Sequence, residues 1–128
     1  MTGEKAVLVV DDQDGVRQLL YEVLQTSGFN VYSASNGNEA IDRIEQHDPD
    51  IVLLDMKMPG KSGIEVLKEL NKREFLGKCI LMTAYGELDI INEAEELGVK
   101  HQIDKPFDIN DLQDVVNKVC QEIDNETS

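Results

Sequence analysis

Apolar residues along the 128-residue chain fall into two alternating kinds of segment. Five short runs rich in β-branched residues occur at Ala6–Val10, Asn30–Ala34, Ile51–Leu54, Lys78–Met82 and about His101–Ile103. The first, third and fourth lack polar alternation, the pattern of strands covered on both faces of a parallel sheet. The fifth is short and weakly patterned. Helical periods fill the intervals. Val16, Leu19, Leu20, Val23 and Leu24 repeat at helical spacing, with Gly28 placed to end the helix in a left-handed turn. Ala40, Ile41 and Ile44 predict a second helix, opened by Asn36 with Glu39 three residues on. Ser62 and Glu65 form a capping box for a third, with Ile64, Leu67 and Leu70 inside it. Leu88, Ile91, Ala94 and Leu97 mark the fourth, ended by Gly98. Asp108 caps the fifth, whose stripe is Ile109, Leu112, Val115, Val116, Val119 and Ile123.

Five strand–helix units in succession predict an α/β fold: a doubly wound (βα)5 sheet of five parallel strands, helices on both faces, joined by right-handed crossovers. No linker, repeat or low-complexity stretch divides the chain, so residues 1–128 are expected to be one domain with no output domain. Its core spans about 5–123 and the polar residues 124–128 are expected to fray. That length suffices for a core without disulfides or structural metal.

Charge narrows the function. Twelve Lys and Arg against 26 Asp and Glu give a formal net charge of −14, which argues against direct contact with nucleic acid or an anionic membrane surface. The longest apolar run, Ala6–Val10, is too short to span a bilayer or to act as a signal peptide. Cys79 and Cys120 make neither a disulfide framework nor a metal-ligand spacing and are expected to be small buried hydrophobes. A reduced, cytoplasmic protein is expected.

Ligands of open parallel sheets bind beyond the carboxyl ends of the strands. There the chain carries Asp11, Asp12, Gln13 and Asp14, then Asp55, then Thr83, and finally Lys105-Pro106. Three carboxylates held together repel one another unless a cation or protons neutralise them. Oxygen ligands suit Mg²⁺, which takes one or two carboxylates and keeps several waters. With Lys105 added, three negative charges face a divalent ion and an ammonium. A carboxylate in that setting can attack phosphorus while metal, lysine and the Thr83 hydroxyl hold the phosphoryl oxygens.

Four separated strings carry a family resemblance: Val9-Val10-Asp11-Asp12-Gln13, Leu53-Leu54-Asp55-Met56-Lys57-Met58-Pro59-Gly60, Met82-Thr83-Ala84-Tyr85-Gly86 and Asp104-Lys105-Pro106-Phe107. Together they resemble the receiver domain of two-component response regulators, from Lys5 to about Ile123. Gln13, Lys57, the Tyr85-Gly86-Glu87-Leu88-Asp89 stretch and the run Lys105 to Ile109 resemble single-domain sporulation phosphorelay regulators most. The resemblance implies the flavodoxin-like strand order 2-1-3-4-5, with Asp55 as phosphoacceptor. It implies Mg²⁺ (or Mn²⁺ as a substitute) on Asp11, Asp12, Asp55 and the backbone carbonyl of Lys57, with Thr83 and Lys105 on the phosphoryl oxygens. It implies a cis peptide at Lys105-Pro106. It also implies a sensor histidine kinase and a histidine phosphotransferase as partners of a monomer. These would dock on Gln13, Gly15, Val16, Leu19, Pro106 and Phe107. Gly15, a poor helix former just inside the first helix, fits close approach of another chain.

Two positions depart from the family pattern. Gln102 stands three residues before the lysine, where receivers usually have an aromatic or histidine, and Asp104 replaces a small residue before it. These place an aromatic-switch mechanism in doubt and leave phosphoryl transfer untouched.

Other functions fit less well. A standalone receiver that binds an effector when phosphorylated has the same residues. Asp12-Gln13-Asp14-Gly15-Val16 also resembles the D-x-D-x-[TV] motif of haloacid-dehalogenase phosphatases, but that reading leaves Asp55 unexplained and lacks a later acidic strand. A flavin mononucleotide site would be repelled by Asp11-Asp12. The remaining polar features have bland readings: Asp14 as a first-turn charge, His47 favourable with its helix dipole, both histidines at the surface, Met56 and Met58 as packing, Tyr85 as a partner contact or loop shield. The acidic helix faces at Glu93, Glu95, Glu96, Asp111 and Asp114 read as solvated, with a sign that suits a basic partner.

Overall fold

A computed structural model describes residues 5–75, 77–84 and 88–127. Strands β1 (Ala6–Val10), β2 (Asn30–Ala34), β3 (Ile51–Asp55), β4 (Lys78–Thr83) and β5 (His101–Asp104) alternate with helices α1 (Asp14–Thr26), α2 (Gly37–His47), α3 (Gly63–Lys72), α4 (Leu88–Glu96) and α5 (Ile109–Thr127). The strands pair in the order β2-β1-β3-β4-β5, all parallel. Three strands run one residue further than the apolar runs alone predict. They end on Asp55, Thr83 and Asp104, polar residues that the ladder carries into the edge of the sheet.

The sheet divides the core in two. Leu8, Val10, Val52, Leu54 and Leu81 face Ala40, Ile41 and Ile44 of α2, Val66, Leu67 and Leu70 of α3, and Ala94 of α4. Val7, Val9, Ile51, Leu53, Ile80 and Met82 face Leu20 and Leu24 of α1 and Leu112, Val116 and Val119 of α5. The strand period of two thus sends successive residues to opposite cores. Met56 and Met58 are buried with the first cluster, as packing residues.

Local signals place the helices. The Asn36 side chain accepts the Glu39 N–H at 2.8 Å while the Glu39 carboxylate accepts the Ser35 N–H. That backbone bond and the Ser35 hydroxyl hold the Glu39 carboxyl below its ordinary range. Ser62 accepts the Glu65 N–H at 3.3 Å, and Asp108 accepts the Asn110 N–H at 2.7 Å. Gly28 and Gly98, after α1 and α4, adopt φ of +100° and +96°, the left-handed turn that favours glycine.

The far edge of the sheet is pinned by one residue. Asp50 accepts the Ala6 N–H on its carboxylate at 2.8 Å, donates its own N–H to the Ala6 carbonyl, and accepts the Lys78 N–H at 2.9 Å on its backbone carbonyl. The starts of β1, β3 and β4 are held in register there.

Three expectations are corrected. Leu88 is 65 % exposed and Ile90 packs on the core instead, so the α4 stripe is Ile90, Ala94 and Leu97. Leu19 and Ile109 are likewise 42 % and 38 % exposed, lying on the rims of the groove between α1 and α5 rather than beneath it. Residues 124–127 are helical: α5 continues to Thr127, and Asp124 bonds Lys5 and Glu126 bonds Lys78, both at 2.7 Å. Ser128 lies outside the described residues.

Neither histidine has metal-ligand company among the described residues. His47 stacks on Tyr32 with ring centroids 3.8 Å apart. His101 is half-buried and meets Glu122 of α5 at 2.9 Å, which holds the Glu122 carboxyl below its ordinary value. Desolvation pushes the Cys79 thiol up to about 12 and raises that of Cys120, which disfavours the thiolate at both. No helix among the described residues is long and apolar enough to cross a membrane.

Candidate functional site

The carboxyl ends of β1, β3, β4 and β5 bring the polar residues to one edge. Asp11 follows β1 and is fully buried, yet both carboxylate oxygens are satisfied: Oδ1 accepts the Gln13 N–H at 2.9 Å and Oδ2 accepts the Lys105 ammonium at 2.7 Å. Asp55 ends β3. Its Oδ1 accepts the Lys57 N–H at 3.2 Å and its Oδ2 faces Lys105 Nζ at 3.5 Å. Asp12 is exposed, and one oxygen from each of Asp11, Asp12 and Asp55 lies within 4.8 Å of the others. Lys105 is therefore the ammonium shared by Asp11 and Asp55, held across 94 residues of chain by the β4–β5 pairing.

One ammonium does not balance three carboxylates. Burial pushes the Asp55 carboxyl up to about 6; the Lys57 N–H and the Lys105 ammonium oppose the rise, and the charges of Asp11 and Asp12 add to it. The cluster has the donor type of a hard-cation site: oxygens only, converging, with one member open to water.

The backbone below Asp55 is tightly seated. A Cβ on Gly63, the first residue of α3, would stand 2.7 Å from Met56 Cα and 2.9 Å from the Asp55 carbonyl oxygen. Only glycine lets α3 start directly against the end of β3. Gly63→Ala is expected to lower stability by about 1–3 kcal/mol, because the obstructing atoms are backbone. An unchanged urea midpoint would contradict this packing.

Thr83 ends β4, fully buried. Its carbonyl accepts the Lys105 N–H at 2.7 Å, and its hydroxyl donates to Asp104 Oδ1 at 3.3 Å. The Lys105-Pro106 peptide is cis. Tyr85, Gly86 and Glu87 lie outside the described residues, and with them the contact expected of Tyr85. On β5, Gln102 is exposed and His101, one residue earlier, is held to Glu122 of α5.

The expected docking residues divide. Gln13, Gly15, Leu19 and Pro106 are exposed, whereas Val16 and Phe107 are half-buried and pack against the core beneath α1 and α5. Gln13 is the N-cap of α1 without a side-chain cap bond. A Cβ on Gly15 would meet nothing within 4 Å, so no contact inside the chain demands glycine there.

Two further residues contribute to the site, Arg17 and Asp104. Arg17 donates to the Asp11 carbonyl at 2.7 Å and pairs with Asp14, fastening the acidic loop to α1. Its three-residue spacing from Asp14 was the available signal. Asp104 stands out as a departure, but only the strand register, Thr83 opposite Asp104, shows what it touches.

The chain is similar to known proteins. The response regulator receiver domain family matches residues 7–117. The chain is 48 % identical to sporulation initiation phosphotransferase F of Bacillus subtilis over 92 % of its own length and 94 % of that protein's. It is 36 % identical to chemotaxis protein CheY of Thermotoga maritima, over 91 % and 98 % of the two chains. The crystal structure of a CheY-like receiver domain protein from Methanospirillum hungatei superposes with a TM-score of 0.92, at 27 % identity, over 97 % of this chain and 99 % of that one. With its 2-1-3-4-5 sheet and the acidic cluster at the strand ends, the chain belongs to the response regulator receiver domain family.

Proposed function

We propose that Asp55 accepts a phosphoryl group from the phosphohistidine of a sensor kinase and that the group then passes to a histidine of a phosphotransferase. The observation that carries this is the convergence of Asp55, Asp11 and Asp12 within a receiver fold, with the Lys105 ammonium shared by Asp11 and Asp55. The relay role is supported by the 48 % identity to a single-domain sporulation phosphotransferase.

The chemistry follows from the groups present. An Asp55 carboxylate oxygen attacks phosphorus as the P–N bond breaks. The electron pair of that bond stays on the imidazole nitrogen, which leaves neutral when the other ring nitrogen carries a proton. Lys105 offers its ammonium N–H groups to the phosphoryl oxygens, and Thr83 offers its hydroxyl. The Lys57 N–H keeps the Asp55 side chain aimed by holding its other oxygen.

The oxygen-only donor set and the excess negative charge fit Mg²⁺, with Mn²⁺ as a substitute, on Asp11, Asp12 and Asp55, with the Lys57 carbonyl as a further ligand. When bound, the ion would neutralise phosphoryl oxygens while the group passes from nitrogen to carboxylate. Intact-mass measurement after incubation with acetyl phosphate tests the proposal. One phosphoryl adduct that needs Mg²⁺ is expected, and no adduct in its presence would refute the reading.

Metal binding carries a pH signature. With the Asp55 carboxyl near 6 in the metal-free protein, Mg²⁺ must displace its proton at lower pH. Affinity is expected to be nearly constant above about pH 7. It should weaken by up to about tenfold per unit as pH falls below about 6, measured by calorimetric titration. A flat affinity down to about pH 5 would remove Asp55 from the ligand set.

A further inference from the structure

The Thr83 hydroxyl has a single proton to give, and in this structure it gives it to Asp104. Thr83 is wholly buried at the end of β4, where an unpaired hydroxyl would be costly. Asp104 is its register partner on β5, and the Lys105 N–H to Thr83 carbonyl bond, 2.7 Å, holds the two strand ends together beside it. The acceptor is a carboxylate, a stronger claimant on the proton than a neutral group. A phosphoryl group on Asp55 can use the Thr83 hydroxyl only by taking that proton from Asp104.

We propose that Asp104 is a positioning residue that holds the Thr83 hydroxyl on the β5 side, and thereby slows uptake of the phosphoryl group. The inference rests on the phosphotransfer reading above and adds a determinant of its rate. Asp104 touches no reacting atom; it acts through Thr83. The exposed carboxylate needs no rearrangement of the core to let go, so the hold is a tax on rate and not a block.

The experiment is a set of pseudo-first-order phosphorylation rates with phosphoramidate and saturating Mg²⁺. In that reaction the Asp55 oxygen–phosphorus bond forms and the P–N bond breaks. The already protonated donor nitrogen leaves as ammonia with the electron pair. Asp104→Ala is expected to run about threefold to tenfold faster than wild type. Asp104→Asn keeps an acceptor oxygen for Thr83, though a weaker neutral one, and is expected to fall between wild type and Asp104→Ala. In a Thr83→Ala background, Asp104→Ala is expected to add nothing, since the group it acts through is gone.

An acceleration that persists without Thr83, or that Asp104→Asn reproduces in full, would overturn the inference in favour of a plain effect of charge. A wild type labelled normally whose rate ignores Asp104 overturns this inference alone. A wild type that takes no phosphoryl group overturns the phosphotransfer reading and this inference with it.

Discussion

Asp55→Asn is expected to abolish the Mg²⁺-dependent phosphoryl adduct and, in the metal-free protein at neutral pH, to raise stability by about 1–3 kcal/mol. The two effects share a cause. Asp55 is the carboxylate that burial and its neighbours make costly to ionise, with its carboxyl pushed up to about 6. Because that value stands above the ordinary one, the folded protein holds a proton that the unfolded chain has already released between about pH 4 and 6. The folded state is therefore favoured at low pH, and this benefit is lost as pH rises through about 6. The isosteric amide removes the charge and keeps the shape. Chemical denaturation in the presence of a chelator should show the gain at pH 7 and its disappearance near pH 4. An adduct that survives Asp55→Asn and is lost in Asp12→Asn would move the nucleophile to Asp12, as in the phosphatase alternative. An unchanged denaturation midpoint at pH 7 would show that the site is not electrostatically strained.

Gly15→Arg is expected to separate chemistry from recognition. The Cβ position is open and the backbone is helical, so the fold should accept arginine, with a gain of up to about 1 kcal/mol from helix propensity. Labelling by acetyl phosphate should stay as in wild type. Transfer from a histidine kinase that phosphorylates the wild type should fall by about tenfold or more, because a long charged side chain is placed in the path of the docking partner. Equal kinase transfer to both proteins would remove α1 from the docking surface.

The sequence made the frame and the acidic site legible for different reasons. Strands such as Ile51–Leu54 are continuous apolar runs bounded by polar residues, and Asn36 or Ser62 mark helix starts by local chemistry. No long-range information is needed. Asp11, Asp55, Thr83 and Lys105 could be brought together before any coordinates because a parallel sheet sends the ends of its strands to one edge. What escaped were choices made by partners distant in sequence. Whether Leu88 or Ile90 is buried depends on how α4 rolls against the sheet, which two competing apolar spacings do not decide. The polar end of α5 reads as a frayed tail until Lys5 and Lys78 stand beside it. Asp104 looked like a mere departure from a pattern until the register set it against Thr83.

Asp50 gives the sheet an asymmetry between its two edges. It joins the first residues of β1 and β4 to the start of β3 through backbone and carboxylate bonds, at the end remote from the acidic cluster. Those bonds fix the register in which the three strands run toward the opposite end. The carboxylates and the ammonium sit at that opposite end, so their alignment is set by a register fixed away from them. Acidity alone thus does not mark function in this chain, for the carboxylate at residue 50 keeps the strands aligned while those at 11, 12 and 55 form the cluster.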